Sequence, residues 1–172
     1  MPSLFGGRRR SVFGPGKELG EYRNQLFELT QRIDARLAQV ADDIDALRRR
    51  DLEPEETVER LGVHEAGLDA DEEGLQEMLA PEELHGLHME YEANLERALR
   101  GIVTVERGCA ITRLPHRPPE DEEPYTYYKR GHANVTHARM RMAEIVDVLV
   151  NWEPGKPAEA TVAARMERQK GA

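Results

Sequence analysis

The sequence contains little of what most catalytic, secreted and membrane proteins need. Its 172 residues include one cysteine, Cys109, which excludes an internal disulfide and a cysteine-rich metal site. Aromatic residues make up only 5% of the chain, and no apolar run approaches the roughly 18 residues of a membrane span. Serine occurs only at Ser3 and Ser11, and no Gly-x-Ser-x-Gly, His-Glu-x-x-His or phosphate-loop motif is present. We therefore expect a protein that is not an enzyme and needs no cofactor.

Charge and hydrophobicity narrow the class further. The formal net charge of −9 argues against binding nucleic acid or anionic lipid over the whole surface. Charged residues at 33% and hydrophobic residues at 39% favour thin helical layers over a β-sandwich, which needs many β-branched and aromatic residues. The N-terminal residues lack the apolar core of a secretory signal. We expect an all-α, cytoplasmic protein of bacterial type.

The stretch Lys17–Arg50 carries the clearest pattern in the chain. Its apolar residues recur at steps of three and four, which places them on one face of an α-helix. Such a helix of about 30 residues would be roughly 45 Å long and needs other helices to cover its apolar face. The nine residues of this stripe are Leu19, Tyr22, Leu26, Leu29, Ile33, Leu37, Val40, Ile44 and Leu47.

Two later segments show the same periodicity. Pro81 can begin a second long helix that ends near Gly108, and a third runs from about Pro124 or Tyr125 to about Trp152. Three such helices predict an antiparallel three-helix bundle. The second stripe is Leu84, Leu87, Tyr91, Leu95, Ala98, Leu99, Ile102 and Val103, and the third is Tyr128, His132, Val135, Ala138, Met142, Ile145, Leu149 and Trp152.

The remaining segments differ in composition from these helices. Residues 1–16 are predicted to be a flexible, glycine-rich basic arm, 17–153 the helical domain, and 154–172 a mobile tail. The connector Glu53–Ala80 is acidic and is predicted to form short helices broken at glycines. It is either a solvated linker or a surface for a divalent cation or a basic partner.

The arm has the composition of a linear docking element. Apolar side chains that could anchor in a partner flank a run of arginines that could meet carboxylates or phosphates. We expect this arm to bind a protein partner, or alternatively to hold the protein on nucleic acid or an anionic membrane surface. The residues predicted to make these contacts are Leu4, Phe5, Arg8, Arg9, Arg10 and Phe13.

The histidines offer a weaker alternative. Glu82 and His85 form a Glu-x-x-His pair of the kind that binds metal in di-iron bundles, with His88 and Glu92 one and two turns later. His132 could complete a site if the second and third long helices meet there. Because no second Glu-x-x-His pair exists, we favour a structural role in which His88 packs or forms hydrogen bonds across the bundle.

These observations predict an interaction or scaffold protein. The long stripes favour a homodimer or higher oligomer, most simply paired through the first helix about a two-fold axis. The third helix also carries basic and aromatic residues between Tyr125 and Arg141, which we expect to pair internally with the acidic connector rather than to bind nucleic acid. The alternative from a different functional class is a metal-binding helical bundle.

Overall fold

The computed structural model describes residues 15–158, and every regular element among them is helical. The all-α class is therefore confirmed for this part of the chain. No helix in this range is both long and apolar enough to cross a membrane. The elements are α1 (Pro15–Arg49), α2 (Pro54–Glu77), a short 3₁₀ turn (Glu82–Leu84), α3 (His85–Thr112) and α4 (Pro124–Asn151).

The helices form an antiparallel ring in which each packs against its neighbours in sequence and α4 packs against α1. The direction is clear from cross-helix pairs: Asp43 of α1 meets Arg60 of α2, whereas Arg32, three turns earlier, meets Asp71, three turns later. The contact between α3 and α4 is the most extensive in the ring. Short connections between antiparallel neighbours give this arrangement without any crossover.

The core lies along the stripes that the sequence predicts. All nine α1 residues are buried, and Leu26, Ile33, Val40 and Ile44 are fully inaccessible. A set of buried apolar residues of this size supplies the main stabilisation of the fold, because each large side chain removed from water contributes about 1.5–3 kcal/mol. One prediction for α3 is wrong, since Val103 is half-exposed and Val105 is buried in its place.

The acidic connector differs most from expectation. It forms one helix of 24 residues, so the described region has four long helices rather than three with short helices between them. The face of α2 that meets the core repeats every seven residues, at Leu61, Leu68 and Leu75. Buried Asp71 fills the gap between the last two, and it lies within 3.3 Å of Arg32 and Arg36 on α1. Because arginines neutralise this carboxylate, α2 can place it against the bundle.

Candidate functional site

The site predicted from the arm lies outside the described residues. Leu4, Phe5, Arg8, Arg9, Arg10 and Phe13 all fall before residue 15, and the partner, nucleic-acid and membrane roles assigned to them stay predictions.

The candidate metal ligands are in the described region, but the structure does not gather them. Within residues 15–158 no group of three or more His, Cys, Asp or Glu side chains is arranged to hold a metal ion. Glu82 and His85 are exposed at the start of α3. His132 faces α1, where its Nδ1 lies 3.3 Å from Arg48 Nη1. Burial and the Arg48 charge both lower the pKa of His132.

His88 has the structural role that the sequence favours. Its Nδ1 lies 2.9 Å from the Tyr22 hydroxyl of α1, and its Nε2 lies 3.0 Å from the Leu75 carbonyl of α2. Nε2 is also 3.0 Å from Glu92 Oε1. Burial, and then the Glu92 charge, raises the pKa of Tyr22, so its hydroxyl keeps its proton and donates to Nδ1. His88 then donates from Nε2, and this ring links three helices in the core.

Arg139 and Arg141 of α4 pair internally, though with different partners from those predicted. Arg139 binds Asp34 of α1 through two bonds of 2.6 and 3.2 Å, and Arg141 binds Glu90 of α3 at 2.8 Å. Neither partner belongs to the acidic connector. These pairs hold α4 against both α1 and α3.

Helices α3 and α4 pack closely because glycines, which have no side chain, occupy key positions of their contact. A Cβ on Gly131 would lie 2.3 Å from Val105 Cγ2 and 2.5 Å from the Gly101 carbonyl oxygen. A Cβ on Gly108 would lie 2.8 Å from the Tyr128 ring. The two backbones therefore approach more closely than any larger residue would permit, and α4 is held against α3 along this line.

The opposite side of α4 forms the most distinctive surface of the described region. Between α1 and α4 lies an open cavity of about 750 Å³, which we call the α1–α4 groove. Its floor includes buried core residues such as Ile33 and Tyr91, and its rims carry Phe27, 51% exposed, and Met140, 65% exposed. The full lining is Phe27, Thr30, Gln31, Ile33, Asp34, Leu37, Tyr91, Thr136, Arg139, Met140, Met142, Ala143, Val146, Asp147, Val150 and Asn151.

Polar contacts limit the length of this groove. The Arg139–Asp34 pair joins its two walls part of the way along. Near its other end, Arg23 donates to the carbonyl oxygens of Leu149 and Trp152 at the end of α4, where backbone carbonyls run out of partners within the helix. Between these points the walls are held apart, and the apolar floor is open.

The groove corresponds to a second apolar pattern in the sequence, separate from the main stripes of α1 and α4. Met140, Ala143, Val146 and Val150 follow one another at steps of three and four, which defines a second apolar face on α4. Phe27 lies beside the main stripe of α1 rather than on it. Apolar residues on two faces of one helix indicate that the helix meets more than one neighbour.

Compared with models of protein families, with curated proteins and with solved structures, the chain gives no match.

Proposed function

We propose that this chain is a non-enzymatic interaction protein that receives an amphipathic helical segment in the α1–α4 groove. The observation that carries the proposal is an apolar groove of about 750 Å³ with two large exposed side chains on its rims. Grooves between two helices bind the apolar face of a third helix, with anchors spaced three, four and seven residues apart. The volume lies within the usual range of about 300–1,000 Å³ for ligand-binding cavities.

The chemistry of the lining supports a helical ligand. Phe27 supplies a large aromatic contact, and Met140 and Met142 have flexible thioether side chains that adapt to differently shaped partners. Asp34 and Arg139 lie beside this apolar surface and can orient a segment that carries charge at its edges.

We place the protein in the cytoplasm and retain the arm, residues 1–16, as a second contact with the partner. A homodimer also stays a prediction. It is no longer required by the α1 stripe, since helices of the same chain bury all nine of those residues. The mass of the native particle tests it directly.

Capture experiments with matched variants test the groove. Phe27→Asp places a charge on the groove rim, whereas Leu79→Asp places one at a more exposed apolar position between α2 and α3, outside the groove. Both variants should keep the far-ultraviolet circular dichroism of the unmodified chain. We expect proteins from the source cell to be retained by the unmodified chain and by Leu79→Asp, and to be lost with Phe27→Asp.

A synthetic peptide that covers the helical segment of such a captured protein then gives the decisive measurement. It should bind Phe27→Asp at least about tenfold more weakly than Leu79→Asp, a difference of about 1.4 kcal/mol. Equal capture by the two variants, or equal peptide affinity, would show that the groove is not the binding site.

A further inference from the structure

The chain turns back toward the bundle after α4 ends at Asn151. Gly155 has a φ of 88°, a value that glycine adopts readily, and the Lys156 amide donates to the Glu153 carbonyl at 3.2 Å. Trp152 Nε1 donates to the Lys156 carbonyl at 2.6 Å and holds this turn against the end of α4. The chain therefore does not continue along the direction of α4.

Ala158 shows where the chain goes next. It has helical backbone geometry, is only 2% exposed, and belongs to the main hydrophobic core. A residue that left the bundle for solvent would not be buried in this way. The 14 residues that follow thus start from a point packed against the bundle, next to the turn that Trp152 holds at the end of α4.

We infer that residues 159–172 occupy the α1–α4 groove of their own chain as a short amphipathic helix. The length fits in part: the open stretch of the groove follows α4 from Arg139 to Leu149, about 15 Å, which is the span of about ten of the 14 residues in helical form. Val162, Ala163 and Met166 fall on one face of such a helix, with Arg165, Arg168 and Lys170 available for the edges.

The rise of a helix sets an approximate register. Val162, Met166 and Lys170 lie about 6, 12 and 18 Å beyond Ala158 along a helix that runs antiparallel to α4. In the walls of the groove, Phe27 and Val146 lie at about the first level, Gln31 and Ala143 at the second, and Asp34 at the third. The two apolar residues therefore meet the open stretch of the groove, and the lysine lies at its far limit, where Asp34 pairs with Arg139.

This inference rests on the proposed function, because it assigns the same groove a resident occupant. The protein's own tail is then the competitor that any partner helix must displace, and the groove opens only to a segment that binds more tightly than residues 159–172. Such a tethered competitor acts at a high effective concentration, which for short linkers is in the millimolar range.

Disulfide trapping in the full-length chain tests the position of the tail without any partner. Gln31 and Gln25 form a matched pair: both are exposed glutamines on α1, but Gln31 lines the groove and Gln25 faces α2. Each is changed to cysteine together with Met166→Cys, and oxidised glutathione is added. Native Cys109 does not compete, because it is buried and burial raises the pKa of its thiol.

We expect Gln31→Cys with Met166→Cys to form an intramolecular disulfide at least about tenfold faster than Gln25→Cys with Met166→Cys. Equal rates, or no bond to position 31, would overturn the inference. So would an intermolecular bond, which would make a second copy the occupant. A faster bond between Gln31→Cys and Phe5→Cys would assign the groove to the N-terminal arm instead. None of these results depends on capture of a partner, so the proposed function can fail or succeed separately.

Discussion

Helix α4 meets its two neighbours in opposite ways. Against α3 it presents Gly131 at a point where the backbone of Gly101 leaves no room for a Cβ, and the two helices are in contact along much of their length. Against α1 it presents Met140 and Val146, and the helices leave a cavity of about 750 Å³. The close contact holds α4 against α3, and the looser contact leaves Met140 on its other side 65% exposed.

The largest expected effect comes from loosening the close contact between α3 and α4, so that it packs no more tightly than the contact between α1 and α4. Gly131→Ala places a methyl group against Val105 and the Gly101 carbonyl, so α3 and α4 must separate. We expect the free energy of unfolding to fall by about 3 kcal/mol, at the upper end of the usual cost of overpacking. Urea denaturation followed by circular dichroism measures it.

Gly20→Ala is the control for this change. It lies within α1, and its Cβ would have no neighbour within 4 Å, so the same substitution should stabilise the chain by about 0.5–1 kcal/mol. If Gly131→Ala were as stable as the unmodified chain, the two contacts of α4 would not differ as described.

A smaller loss is expected on the open side. Phe27→Ala removes a side chain that is 51% exposed, so less apolar surface is lost from contact than for a core residue. We expect a decrease of about 1 kcal/mol in the free energy of unfolding, measured by the same urea titration. A decrease above about 2.5 kcal/mol would mean that the ring is buried and that the groove is a part of the core.

The smallest effect is a dependence of stability on pH, and it arises where His132 of α4 meets Arg48 of α1. Because the pKa of His132 is lowered by burial and by Arg48, the unfolded chain takes up a proton on this residue more readily than the folded chain. The folded state should therefore lose stability as the pH falls from 7.5 to 5.5. The shift in melting temperature over this interval should be smaller in His132→Gln, and Arg48→Gln should reduce it in part; an unchanged shift in both variants would contradict this account.

The sequence was sufficient to predict the packing face of α1 and the limits of α4. Their apolar residues recur without a gap, and a continuous stripe has one arrangement that buries it. It was insufficient for α2, whose core-facing positions include Thr57, His64 and Asp71. Two of them have partners that only the folded chain supplies, Asp43 for His64 and the α1 arginines for Asp71, whereas Thr57 donates to the Glu53 carbonyl one turn earlier.

The groove could not be predicted from hydrophobic periodicity either, but for a different reason. Periodicity identifies which face of a helix is apolar, but the distance between two helices depends on what the rest of the bundle allows. Gly131 brings α4 close to α3, and the helix continues through it. The missing Cβ at Gly131 thus affects the width of the groove on the other side of α4, and no local sequence pattern reveals this effect.

The bonds from Arg23 to Leu149 and Trp152 also bring the two ends of the described bundle together. An even number of antiparallel helices starts and finishes on the same side, so residues 15 and 158, where the described chain begins and ends, lie at the same end of the bundle. Anything joined to the chain next to one of these two residues therefore shares space with whatever is joined next to the other.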